Sequence, residues 1–544
     1  MCSIVKSFSR RKPQLLIFSV LLTLASCGAV IESARAALTV SIGQNFTGSD
    51  NSQTLITPAD SDGAIGPQHF VEFINGTFAV YSKTNGQRKL RISDIKFWSN
   101  AGVTLPASDG ISDPRVIYDS ASQRWFASQV DFDASAGDPS LNSDYFLLAV
   151  SDTSDPLGSW HGFSFLADPD AGNFADFPTL GVDGAAVYIA GDMYFGESNP
   201  LGSVLVSIPK SDLLAITPTI AHRSFFGTLD YAERGNVLQP VSCVDGSSSG
   251  NVLAAGDINS DSQIIGSIVL NAGNTNATLA AASPIPVTPY DAPFPFDVTQ
   301  PDATTTLSAN DARISSRAYT VGGVIYATHS IQVNGRAAIR WYRVNATNYA
   351  LIESGTITDA SLDLFYPSIT ANASGVVVIG CNGSGLTTLV SSFAYVGETV
   401  NGITTFDNRM LLAAGGSVYH DIYEQVEFSD ESRWGDYSAT TPDPTDFSRF
   451  WTIQMLPLAD GETWTMQITE LRVSQLPQLA IAPAGTNVNI LWPLSAASFQ
   501  LQSSTNLSNT NSWLLVTQTR ATNGSQLSVT LPASAQQQFF RLKN

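Results

Sequence analysis

Eight side chains able to do chemistry stand at or near the start of short apolar, β-rich runs: His69, Asp113, Arg115, Asp176, Gln239, Arg317, Arg433 and Asp436. If they converge on one concavity they form a ligand site, because clustered ionisable groups shift one another's pKa values. Among them Asp113, Asp176 and Asp436 offer the carboxylate pair that glycoside hydrolysis places about the scissile bond. A purely architectural role competes for each, since Asp caps turns and Arg bridges neighbouring elements through carboxylates. A second set is Asp168 and Asp170 in Asp168-Pro-Asp-Ala-Gly-Asn173, with Asp257, Asn259 and Asp261 in Asp257-Ile-Asn-Ser-Asp261. Oxygen ligands two residues apart suit Ca²⁺, although neither loop continues to a glutamate at the EF-hand spacing. Calcium is therefore the one cofactor the sequence points to.

Other chemistries find little support. There is no Gly-x-Ser-x-Gly elbow, and His161, His222 and His329 have no evident triad partner. The Ser-x-Asp-x-Gly-x-Thr-Trp repeats of sialidases are missing, and Ser151 to Trp160 is only a loose echo. A net charge of −20, with 27 Lys and Arg, argues against nucleic acid, which needs a basic stripe. Beyond the N-terminal region only Cys243 and Cys381 remain, in non-adjacent repeats, which reads as two buried thiols. Trp98, Trp160, Tyr194, Trp434 and Tyr437 could stack on sugars, but core packing is the stronger reading.

The elements that carry these residues repeat. Seven copies begin near Gly66-Pro67, Asp113-Pro114, Asp176-Phe-Pro178, Gln239-Pro240, Ser315-Ser316, Tyr366-Pro367 and Trp434-Gly435, each leading into Val-, Ile-, Phe- or Tyr-rich segments split by turns. A period of roughly fifty to seventy residues without helical periodicity predicts an all-β fold, a seven-bladed β-propeller over residues 37–474. The segment Ser283 to Pro301 carries six prolines and is predicted as an extended excursion between the fourth and fifth repeats. Leu38 to Ile42 is placed to complete the last blade. From 475 to 544, alternating runs such as Asn487 to Trp492 and Leu527 to Leu531 predict a small β-sandwich-like domain. Residues 1–36, with Lys6, Arg10, Arg11, Lys12, the apolar run Leu15 to Leu24 and Ala34-Arg35-Ala36, read as a secretory signal peptide. Leu24-Ala-Ser-Cys27 offers a lipid anchor at Cys27 instead. Beyond residue 40 no run reaches the ~18 apolar residues of a membrane span.

Asp113-Pro-Arg-Val-Ile-Tyr-Asp119, Ser151-Asp152 with Asp155-Pro156 and Trp160, and Arg433-Trp-Gly-Asp-Tyr-Ser438 with Phe450-Trp451 resemble a family of exported bacterial β-propellers over most of residues 60–473. The tail, with Ile490-Leu-Trp-Pro493 and Phe539-Phe-Arg-Leu542, looks like a C-terminal module recurring on exported bacterial proteins. That resemblance implies fold, export and attachment, and assigns no activity. The function predicted is a secreted or surface-bound module that binds a polysaccharide or a surface protein at the propeller mouth. A glycan-acting hydrolase is the alternative, and an envelope spacer is a third reading.

Overall fold

The computed structural model describes residues 38–543 except 197–198, 294–297, 422–430, 476, 478, 524–525 and 534–536. The signal-peptide and lipid-anchor readings lie outside the described residues.

Seven inner strands, Asp62–Ile65, Asp109–Asp119, Phe174–Val182, Asn236–Cys243, Ala318–Val321, Asp363–Ala371 and Ala439–Pro442, pack one against the next and the last against the first. Each begins an antiparallel sheet of four or more strands, and the fourth and fifth sheets are joined by parallel pairing of their inner strands. The fold is a seven-bladed β-propeller. Middle strands such as Tyr145–Ser151 and Ala186–Tyr194 are almost wholly buried and read as unbroken apolar runs, because neighbouring blades cover both faces of each sheet. Trp98, Trp125, Trp434, Trp451 and Trp464 fill the space between sheets.

Closure is made by the N-terminal strand. Leu38–Asp50 pairs with Trp464–Gln475 and forms the outer edge of the seventh blade. The link to blade 1 is Glu72, fully buried, which accepts from the Ser49 amide at 2.9 Å, the Ser49 hydroxyl at 2.7 Å and the Tyr81 hydroxyl at 2.7 Å. Residue 48 has to be glycine here, since a Cβ would stand 2.3 Å from Glu72 Oε1.

Two sequence readings need correcting. Gly66-Pro67 does not open the first blade; it forms the turn after the inner strand, which is Asp62–Ile65. Ser283–Asp291, in the proline-rich segment, is the outer strand of blade 4, paired with Ser260–Leu270. Prolines are tolerated there because an edge strand leaves half its amides without ladder partners.

Cα packing separates a unit spanning Val40–Val473 from a second that holds Ser474–Asn544. The second contains two small sheets, one of Ala480–Ala484, Asn487–Pro493, Gln526–Pro532 and Ala521–Asn523, the other of Leu514–Leu515, Gln500–Ser504 and Phe539–Lys543. Ile490, Trp492, Leu501, Val529 and Phe540 form its core. No helix among the described residues is long and apolar enough to cross a membrane.

Candidate functional site

Where the inner strands begin, the backbone leaves the sheet. Pairing with the second strand breaks between Ser112 and Arg115, Asp176 and Thr179, Asn236 and Gln239, and Phe365 and Ser368. At each break a non-glycine residue is left-handed: Asp113 at φ 60°, Phe177 at 51°, Val237 at 56° and Tyr366 at 45°. Asp60, just ahead of the blade 1 inner strand, does the same at 51°. Bulges of this kind re-aim side chains, and each strained residue costs roughly 1–3 kcal/mol.

The re-aimed side chains meet at one mouth of the ring. Asp60 Oδ1 accepts from the Asp436 amide at 3.0 Å, and its Oδ2 accepts from Asn75 Nδ2 at 2.9 Å. Asn75 Oδ1 in turn accepts the Asp113 amide at 2.9 Å, so that Asn75 bridges Asp60 and Asp113 and brings their carboxyls into one buried cluster. Two carboxylates buried this close repel each other, which favours a proton held on the pair. Burial, followed by the charge of Asp436, pushes Asp60 up to about 7. Burial, followed by the charges of Asp60, Asp176 and Asp436, pushes Asp113 well above the carboxylate range. The pair therefore titrates as a unit. Burial also raises Asp176, and it lifts Asp192, which accepts from Ser203 Oγ at 2.9 Å, to about 6.

Two arginines stand in this acidic mouth and both are engaged. Arg313 grips Asp311 with two bonds of 2.8 and 2.6 Å and lies 4.5 Å from the Phe177 ring centroid. Arg433 bonds Asp436 at 2.9 Å, and Asn310 reaches the other oxygen of Asp436 at 3.3 Å. Tyr366, 3% exposed, lies among Asp436, Arg433, Asp60 and Arg313, and its hydroxyl has no hydrogen-bond partner among the described residues. The Tyr231 hydroxyl lies beside Asp192, Tyr194 and Arg313 and is turned toward the Gly202 backbone.

Below the mouth the axis is closed. The Arg115 guanidinium stacks 3.3 Å from the Tyr437 centroid and donates to Pro178 O at 3.0 Å and Ser315 O at 3.1 Å. Arg317 spans to Asp62 at 2.9 Å and to Val116 O at 2.7 Å. Beyond this plug, a cavity of ≈ 40 Å³ lined by Tyr118, Ser242, Arg317 and Tyr319 has room for about three waters. The axis is therefore plugged beneath the mouth by Arg115, Arg317 and Tyr437.

The structure sorts the sequence candidates. Asp113, Asp176, Arg433 and Asp436 come together at the mouth. Arg115, Arg317 and Gln239 are buried in the axis, where the arginines tie blades to one another. His69 is not at the axis: it opens the second strand of blade 1 and faces Asp155 at 3.5 Å. Asp168 spends both oxygens on the amides of Asp170, Ala171 and Asn173, and Asp257 accepts from the Asn259 amide at 2.7 Å. Asp261 Oδ1 takes the Ser262 amide at 2.6 Å. Among the described residues no three His, Cys, Asp or Glu side chains are grouped to hold a metal. Trp98, Trp160, Trp434 and Tyr437 are core residues, and Cys243 and Cys381 are free and buried. The residues missed were Asp60, Asn75, Asp192, Asn310, Asp311, Arg313 and Tyr366. Asp60 was the most findable, since Asp60-Ser-Asp62 stands ahead of its inner strand as Asp113 stands in its own.

No family model matches the chain, and no curated protein matches it by sequence. Among solved structures, it is similar to a protein of unknown function from Dyadobacter fermentans, at 9% identity, covering 68% of this chain and 97% of that one, with a TM-score of 0.35. It is also similar to an α-L-arabinanase of Penicillium chrysogenum (10% identity, 79% and 98% covered, TM-score 0.38). A third is a Trypanosoma rangeli sialidase solved with sialic acid (9% identity, 80% and 91% covered, TM-score 0.31).

Proposed function

We propose that the axial mouth is a carbohydrate site and that the protein, an exported one, acts on its glycan by acid–base hydrolysis. The observation that supports this reading is the buried Asp60–Asp113 pair, bridged by Asn75, beside Asp176 and Asp436. Glycoside hydrolysis needs one carboxyl that still holds a proton at working pH and a second that serves as base or nucleophile. Burial supplies the first here, at Asp113 or at Asp176, whose pKa values it raises. Asp436, aligned by Arg433 and Asn310, is the partner carboxylate. Asp60, Asp113 and Asp436 are buried, and charges among buried groups act more strongly than in water.

Asp176→Asn and Asp436→Asn variants test this on a panel of polysaccharides. Turnover falling by about 10²-fold or more with affinity retained, the size of a lost acid–base group, supports hydrolysis. Affinity lost with no turnover in the parent protein supports the second reading, a binding module that uses the same mouth; that reading is favoured by how fully Arg313, Arg433 and Asp60 are hydrogen-bonded within the protein.

A further inference from the structure

The charges at the mouth constrain which sugars it can take. Six carboxyl groups, Asp60, Asp113, Asp176, Asp192, Asp311 and Asp436, face two arginines there, Arg313 and Arg433. Each guanidinium already holds a carboxylate of the protein. Arg313 already has its two-pronged carboxylate in Asp311, at 2.8 and 2.6 Å, and Arg433 holds Asp436 at 2.9 Å. The Nη2 of Arg115 has no hydrogen bond, but it is sealed in the plug under Tyr437, with Asp62 3.9 Å from its guanidinium. No further cation can come from the segments of the propeller left undescribed: residues 197–198, 294–297 and 422–430 contain no Lys, Arg or His. An acidic sugar needs a free bidentate donor for its carboxylate, and bringing a second anion among these carboxyls is repulsive at close range.

What the mouth does offer is suited to hydroxyls. The Tyr366 hydroxyl, beside Asp436, Arg433 and Arg313, is unpartnered, and a buried polar group left unpaired is destabilising unless a ligand completes it. In the same mouth stand the carboxyl oxygens of Asp176, Asp192 and Asp436, which accept from sugar O–H groups. We infer that the ligand of this mouth is a sugar without an acid group, held by the Tyr366 hydroxyl and the surrounding carboxyls, and that uronates, sialosides and sulfated glycans are refused. The inference rests on the carbohydrate reading above and narrows it.

The test is binding and hydrolysis by the full chain across neutral polymers (arabinan, xylan, galactan, glucans), an amino-sugar polymer (chitosan) and acidic ones (polygalacturonate, sialyllactose, heparin), run beside Tyr366→Phe and Asp311→Asn. Tyr366→Phe removes a hydroxyl that bonds nothing among the described residues, so its unfolding midpoint stays at the parent value. The result expected is a ligand among the non-acid sugars, with affinity lowered about 5- to 10-fold by Tyr366→Phe. Asp311→Asn, which releases Arg313, should create acidic-glycan binding that the parent lacks. An acidic glycan bound by the parent and weakened by Tyr366→Phe overturns the inference while leaving the carbohydrate site standing. Equal affinity in the parent and Tyr366→Phe overturns the role given to that hydroxyl. Silence across the whole panel sinks the carbohydrate reading itself and this inference with it.

Discussion

Replacing Asp113 with asparagine isolates the shared proton. In the native protein Asp113 keeps its proton well above the usual range because it is buried and crowded by Asp60, Asp176 and Asp436. In the unfolded chain the same carboxyl loses it near pH 4. Between those values the folded state binds one proton more than the unfolded state, so stability falls as pH rises, by about 1.4 kcal/mol per unit for this one group. The asparagine amide matches the acid in size and does not titrate, so the fold is kept and that slope is removed. The remaining slope is not zero, because Asp60 and Asp131 are pushed up to about 7 and Asp192 to about 6, each chiefly by burial. Their contributions are fully present below about pH 4 and are lost as pH rises through those values. The parent protein should therefore be more stable at pH 5 than at pH 8. The assay is denaturant unfolding at pH 5, 6, 7 and 8, followed by the fluorescence of the buried tryptophans. Identical pH slopes for the parent and Asp113→Asn would refute the shared proton, and so would a parent protein that gains stability from pH 5 to 8.

Arg317→Met removes the partner of buried Asp62 across the axis and should cost about 3–5 kcal/mol at pH 8. Less is lost at pH 5, where Asp62, already raised by burial, can take up a proton; equal losses at the two pH values would contradict that ion pair. Glu72→Ala strands the Ser49 amide and the Ser49 and Tyr81 hydroxyls, and denaturant unfolding should show a loss of about 3 kcal/mol; under about 1 kcal/mol would deny Glu72 its part in closure.

Much of the fold was legible because a propeller repeats its grammar. Asp113-Pro114, Phe177-Pro178 and Tyr366-Pro367 share one bulge, and the proline after each left-handed residue marks it in the letters. Blade 1 hid its start because Asp60-Ser-Asp62 makes the same turn without a proline, so the eye falls on Gly66-Pro67 one turn later. Ser283–Asp291 misled for the opposite reason: prolines signal irregular chain until one knows that the strand lies at an edge. The site was half readable. Side chains on bulges can be found by position within the repeat, whereas Asp192 lies near the end of a second strand and Asn310 to Arg313 sit in a connector, so their convergence depends on ring closure and leaves no spacing to find. His69 shows the converse, a chemically apt residue that the strand order carries away from the axis.

The edge pairing of blade 7 also decides how the ring bears load. Gln44 lies against Glu470 and Ser49 against Thr465, so the two strands run antiparallel, and the chain enters and leaves the propeller side by side. A pull applied between residue 38 and residue 475 is carried by that one strand pair and opens its hydrogen bonds one after another, like a zip, while the other six blades and the carboxyls at the mouth carry no tension.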